Sequence, residues 1–158
     1  MKTLYESILN KSGVGKIYLI QKWLDEHGIK NYTINSKEEV DVDGSVNLSN
    51  CGLVEFPSFI QFGTIKGNFN CSNNELTSLK GSPEKVKGYF HCSFNNLTTL
   101  EGAPKKVGDD FYCRYNHLTS LEGAPKVVRG IFVCKHNKTQ FTEGDVKKVC
   151  KVKREIIA

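Results

Sequence analysis

The chain contains six cysteines, and four of them, Cys71, Cys92, Cys113 and Cys134, recur at a constant interval of 21 residues. Thiols can ligate metals, form disulfides or act as nucleophiles, so their spacing has to be read first. A strict interval puts one cysteine at the same place in every unit of a repeat. The four then form a row, at about 4.8 Å per strand. A row cannot wrap tetrahedrally around one zinc ion. Neighbours in it come within disulfide reach, yet nothing in the sequence points to an oxidising compartment. The four read as reduced core cysteines acting as small apolar residues, and neither metal nor cofactor is expected. Ser12-Gly13-Val14-Gly15-Lys16 approaches a phosphate loop but lacks its first glycine and has Ile17 where a hydroxyl is needed, so it reads as a loop and helix start. His91 has no nucleophile or carboxylate placed beside it by the repeat frame. No catalytic residue is assigned, and an enzyme is not expected.

The elements that hold this row follow from the phrase around each cysteine: CSNNELTSLKGSP from Cys71, CSFNNLTTLEGAP from Cys92 and CRYNHLTSLEGAP from Cys113. Alignment extends the match to V-x-G-x-F-x-C-x-x-N-x-L-T-x-L-x-G-x-P, anchored on Val86, Val107 and Val128. Self-similarity at this period means a solenoid, whose units bury their apolar faces only against one another. F-x-C-x-x-N-x-L has the form of the leucine-rich-repeat signature, with Phe and Cys at two apolar positions. The F-x-C alternation predicts a short strand with its apolar side chains on one face. Asn74, Asn95, Asn116 and Asn137 then turn the chain and bond backbone groups left unpaired by the bend, as an inward ladder. Leu76, Leu97 and Leu118, with Leu79, Leu100 and Leu121, fill the interior. The G-x-P step predicts an extended, polyproline-like return path and a thin convex side. Asp109 stands where the other units have Gly67, Gly88 and Gly130, which would alter the backbone if those glycines take a positive φ.

A degenerate first unit runs from Val46 through Leu48 to Pro57, with 23 residues separating Val46 from Phe69. In it Cys51 takes the asparagine position and leaves the cysteine row. The pattern closes at Ile131 to Asn137. The predicted architecture is an α/β repeat solenoid: a short leucine-rich-repeat-like parallel β-solenoid of 21-residue units over 44–141, an α/β N-terminal cap over 1–43 and a helical C-terminal cap over 142–158. In the first cap, Thr3 to Asn10 and Val14 to His27 read as helices, the second with Ile17, Ile20, Trp23 and Leu24 on one face and Gly28 at its stop. Tyr32 to Ile34 and Val40 to Val42 read as strands. The last cap reads as a helix from Thr142 that buries Val146, Val149 and Cys150, with a lysine-rich outer face.

A composition of 39% apolar and 25% charged residues over 158 residues suits one globular domain. No apolar run approaches the ~20 residues of a membrane span, and MKTLYESILNKSG lacks a signal-peptide pattern, so no membrane association and a cytoplasmic location are expected. The formal charge runs from −1 over residues 1–43 to +2 over 44–134 and +4 over 135–158. The basic excess comprises Lys147, Lys148, Lys151, Lys153 and Arg154, with a second stripe after the prolines at Lys85, Lys87, Lys105, Lys106, Lys126 and Arg129. Such patches bind phosphates or steer acidic partners. They also serve as plain solvated faces, and no nucleic-acid-binding motif accompanies them.

Alternation places four columns outward: Asn68, Tyr89, Asp110 and Ile131; Asn70, His91, Tyr112 and Val133; Ser72, Ser93, Arg114 and Lys135; and, at the strand exit, Asn73, Phe94, Tyr115 and His136. Tyr and Arg are the types that carry binding hot spots. The expected contact surface is therefore Tyr89, His91, Phe94, Asp110, Tyr112, Arg114, Tyr115, Val133 and Lys135, on a concave β face. Aromatic stacking that merely stabilises the sheet is the competing reading.

The MKTLYESIL opening, the array from Gly67 to Cys134 and the closing FTEGDVKKVCKVK segment resemble the leucine-rich-repeat-like proteins of tailed bacteriophages and bacteria, built of C-x-x-N-x-L-T-S-L-E-G-A-P units. The resemblance covers most of the chain and implies no shared catalytic motif. It implies a phage-encoded accessory protein that engages or inhibits a host protein in the bacterial cytoplasm. The alternatives are a virion component or homo-oligomer using exposed strand edges, and, less favoured, nucleic-acid binding through the basic C-terminal cap.

Overall fold

The computed structural model describes residues 13–158, so the helix expected over Thr3 to Asn10 lies outside the described residues. The described residues begin with helix α1 (Gly13–Glu26), and the pair β1 (Tyr32–Ile34) and β2 (Val40–Val42) follows, joined antiparallel. Gly13 to Lys16 of the sequence resembling a phosphate loop form the first turn of α1, where the Lys16 ammonium pairs with Glu38. Ile20 and Leu24 of α1 are fully buried, and Trp23 meets Phe62 edge-on at 6.3 Å, so the helix lies over the first coil.

The F-x-C strands form as expected. They are β3 (Val46–Asn47), β5 (Phe69–Asn70), β7 (Phe90–His91), β9 (Phe111–Tyr112) and β11 (Phe132–Val133), parallel and in register, with Phe69 opposite Phe90 and Phe90 opposite Phe111. We call this the front sheet. The return path differs from the expected polyproline-like run. After the proline of each coil the chain enters a second strand: β4 (Phe62–Ile65), β6 (Lys85–Val86), β8 (Lys106–Val107) and β10 (Val127–Val128). With β1 and β2 these make a back sheet, parallel from β2 onward. Backbone pairing on the return path satisfies N–H and C=O groups that a polyproline path would leave to water. The protein is thus a parallel β-solenoid with two sheets.

Its interior is a set of columns, each residue stacked on its equivalent one coil away. Phe69 and Phe90 lie 5.5 Å apart and 5° from parallel, Phe90 and Phe111 5.6 Å and 8°, and Phe111 and Phe132 4.9 Å and 35°. Val86, Val107 and Val128, the four ladder cysteines and both leucine columns fill the remaining space. The asparagine ladder forms as predicted. Each Asn Nδ2 donates to the carbonyl of its own coil's cysteine and to a carbonyl of the preceding coil, while Oδ1 accepts a backbone N–H of that preceding coil. For Asn116 the partners are Cys113 O at 3.2 Å, Cys92 O at 3.0 Å and Leu97 N at 3.1 Å.

The glycines aligned with Asp109 do not have the positive φ considered above. A Cβ on Gly88 would stand 2.0 Å from Asn68 Oδ1 and 2.9 Å from Gly67 O, so close coil stacking is the constraint there. In the Asp109 coil the tight approach moves one residue back, since a Cβ on Gly108 would lie 2.0 Å from Lys87 O.

Beyond β11 the chain forms a short helix, α2 (Glu143–Val149), with Thr142 and Asp145 in a reciprocal capping box and Val146 fully buried. Hydrogen bonds from Thr142 and then Lys148 hold the Asp145 carboxyl down at about 2. The expected all-helical ending is corrected here. Residues 151–158 form β12 (Lys151–Val152) and β13 (Ile156–Ile157), which add one strand to the back and one to the front sheet. Val152 takes the place of Val128, and Ile156 that of Phe132. The coil rule therefore resumes after the helix, and burying these side chains outweighs continuing a seven-residue helix, which is marginal alone.

Candidate functional site

The corner where each front strand leaves the sheet has left-handed backbone: Asn50 (φ 57), Asn73 (φ 55), Phe94 (φ 58), Tyr115 (φ 53) and His136 (φ 58). From Asn73 onward the turn needs this geometry so that the next residue, the ladder asparagine, can point inward. Asn adopts it readily, as at the first two corners. For Phe, Tyr and His the same backbone costs on the order of 1–2 kcal/mol per residue. Three successive coils thus hold aromatic residues where a small polar one would sit without strain.

The three rings form a ladder on the surface. Phe94 and Tyr115 stack at 4.6 Å and 10°, and Tyr115 and His136 at 4.4 Å and 17°. Phe94 is 40% and Tyr115 43% exposed, and His136 is exposed as well. The Arg114 guanidinium lies 5.9 Å from the centroids of both Phe94 and Tyr115, a cation–π position over two rungs. Lys135, one coil on, is also exposed. Arg114, Phe94, Tyr115 and Lys135 from the expected surface are therefore brought together, and His136 joins them. His136 had been placed in the exit column but not in the expected contact set.

The other expected residues stand apart from this ladder. Tyr89, His91, Asp110 and Tyr112 are half-buried and bound up with one another. Tyr112 Oη donates to Asp110 Oδ2 at 2.7 Å, and Asp110 Oδ1 accepts the Ile131 N–H at 2.7 Å. Burial, and then that bond, push the Tyr112 phenol up to about 12. Tyr112 also meets Tyr89 at 6.4 Å and His91 at 5.2 Å. Burial, and then the nearby Arg114 charge, lower the His91 pKa. His91 Nε2 and Ser93 Oγ are buried without hydrogen-bond partners among the described residues. Val133 is corrected from outward to buried, at 7% exposure, since β13 pairs alongside it with Ile157 opposite. Ser72 and Ser93, also placed outward by alternation, are buried too, because the chain has begun to bend there and period 2 no longer holds.

The ladder cysteines are free, buried thiols, and so is Cys150, whereas Cys51 is free and exposed. Burial pushes Cys134 and Cys150 up to about 11 and the other three ladder thiols upward as well. Among the described residues no group of three or more His, Cys, Asp or Glu could hold a metal ion. A thiol reagent should modify Cys51 alone in the native protein, with the other five cysteines reacting only on unfolding. A second fast-reacting thiol would contradict this burial.

The five cations assigned to the C-terminal patch do not share a helix face. Lys147 and Lys148 lie on α2 and pair within it, to Glu143 at 2.6 Å and Asp145 at 3.0 Å. Lys151 belongs to β12, and Lys153 and Arg154 to the turn after it. Among the described residues no helix is long and apolar enough to cross a membrane. No protein-family model, curated protein or solved structure matches this chain.

Proposed function

We propose that the protein is a non-enzymatic binding module that engages a protein partner through the stacked corner residues Phe94, Tyr115 and His136, with Arg114 and Lys135 beside them. The observation that carries this reading is left-handed backbone beneath three exposed, mutually stacked aromatic side chains. Asn satisfies the same corner in two other coils, so folding alone does not call for aromatics there. Strain held at an exposed aromatic cluster is a mark of a working surface, and Tyr and Arg dominate binding hot spots. The rigid ladder is already ordered, so little side-chain entropy is lost on contact. The half-buried cluster of Tyr89, His91, Asp110 and Tyr112 is bound up with itself and stands apart from this surface. The repeat phrase alone suggests the setting: a phage-encoded leucine-rich-repeat-like accessory protein that engages or inhibits a bacterial host protein in the cytoplasm.

Replacing Arg114 with Ala and Tyr115 with Asn tests this, because Asn keeps the left-handed corner. The double variant should keep the wild-type denaturation midpoint and lose a partner that the wild type captures from bacterial lysate. Capture of the same partner by the variant would remove the ladder as the site. Light scattering that shows the wild type binding its own copies through this surface would turn the reading to self-assembly.

A further inference from the structure

We infer that the outer face of the back sheet is a second binding site, for the phosphate backbone of single-stranded nucleic acid. In β6, β8, β10 and β12 the valines Val86, Val107, Val128 and Val152 point inward, and the residues flanking each of them point out. The strands are in register, so the outward residues form two columns. One reads Lys85, Lys106, Val127, Lys151, and the other Lys87, Gly108, Arg129, Lys153. Six of these eight are cations, and none of the six has an ion-pair partner among the described residues. By contrast Lys105, on the adjoining loop, is tied to Glu84 at 2.6 Å. On the same face the N-terminal strand contributes Asp41 and Asp43, the latter paired with Lys66. The face is neutralised at one end and left bare of counter-charge over the last four strands.

Between the columns lies a groove of about 530 Å³, walled by Lys85, Lys87, Lys106 and Arg129 over a floor at Gly108 and Val127. No carboxylate lines it. The notch is built into the coil stacking, because a side chain at Gly108 would collide with the Lys87 carbonyl. The nearest acidic residues in sequence are Glu84, which precedes Lys85 and is taken up by Lys105, and Asp109, which follows Gly108 at the turn toward the front sheet.

The dimensions select the ligand. Strands ~4.8 Å apart give a track of roughly 14 Å from Lys85 to Lys151, and columns two residues apart are ~7 Å wide. That width suits one phosphodiester strand lying between the columns, and the duplex competitor below tests that choice. No aromatic side chain belongs to either column, so bases are not stacked and binding is independent of sequence. The aromatic ladder stands at the corner of the other sheet, and the two sites are separate.

The test is fluorescence anisotropy with labelled oligo(dT) of about 20 nucleotides, from about 25 to about 200 mM NaCl, with duplex DNA and inorganic polyphosphate as competitors. About four phosphate contacts predict a log K against log [salt] slope near −3, from roughly −0.7 per contact on a single strand. K87E with R129E, both exposed positions, should weaken binding at least about tenfold and flatten the slope toward about −1.4. K147E with K148E on α2 should change neither, and circular dichroism confirms that both variants fold. Absence of binding at the lowest salt, equal binding by the K87E/R129E protein, or a loss specific to the helix variant overturns the site. Stronger competition by duplex or by polyphosphate than by unlabelled oligo(dT) overturns the assignment to single-stranded nucleic acid.

Discussion

Replacing Asn95 with Ala should lower stability by about 2–3 kcal/mol, a large effect for one polar side chain. Asn95 is only 6% exposed and bridges two coils. Its Oδ1 accepts the Leu76 N–H at 2.9 Å, and its Nδ2 donates to Cys71 O at 3.0 Å and Cys92 O at 3.1 Å. Truncation strands the buried Leu76 N–H, which costs roughly 1–3 kcal/mol without a partner, and takes one of two donors from each carbonyl, since Cys71 O keeps Asn74 Nδ2 and Cys92 O keeps Asn116 Nδ2. The urea midpoint measures the loss. The adjacent exposed Asn96, whose Nδ2 makes a single 3.4 Å bond, is the control and should shift the midpoint little when changed to Ala. Equal midpoints for N95A and wild type would mean that the ladder does not hold the coils together.

Phe111→Ala should cost about 4–5 kcal/mol and also break the cooperativity of unfolding. The ring is fully buried between Phe90 at 5.6 Å and Phe132 at 4.9 Å. Removing a core Phe costs roughly 3–5 kcal/mol, and each aromatic pair adds about 0.5–1.5 kcal/mol. In a solenoid each coil touches only its neighbours, so a gap in the middle uncouples the two ends. The one tryptophan, Trp23, packs on Phe62 at the N-terminal end. Its fluorescence should therefore report a later transition than far-ultraviolet circular dichroism, which averages over all coils. Coincident transitions at the wild-type midpoint would refute both the stack and the uncoupling.

The repeat made the front sheet, the Asn74 to Asn137 ladder, both leucine columns and the buried cysteine row legible, because each depends on the same residue recurring every 21 positions. The back sheet was not read, although Lys85-Val86 and Lys106-Val107 recur as faithfully. Two residues are too few to display alternation, and the neighbouring proline argued for an unpaired path. The last coil escaped because α2 is inserted before it, so Val128 pairs with Val152, 24 residues on rather than 21. The phrase KVKREII does match the unit once that offset is allowed. At the candidate site the aromatic types of Phe94 and Tyr115 were visible, and their left-handed backbone was not. The signal was Asn at position 73 in the same column, and Phe94, Tyr115 and His136 masked it by occupying a conformation their side chains resist. Alternation misplaced Ser72 and Ser93 because it assumes a straight strand beyond the point where the chain bends, and Val133 because the covering strand β13 was not foreseen.

The left-handed corner separates the fold from its message. Everything one residue later, at the ladder asparagine, is committed to the interior, and the corner side chain itself projects into solvent. A coil can therefore exchange Asn50 or Asn73 for an aromatic residue, or the reverse, at the expense of local strain alone. Each coil carries one such letter, displayed at a fixed pitch along the axis. The recognition surface is in effect a short text whose length is the number of coils and whose spelling can change without disturbing the page on which it is written.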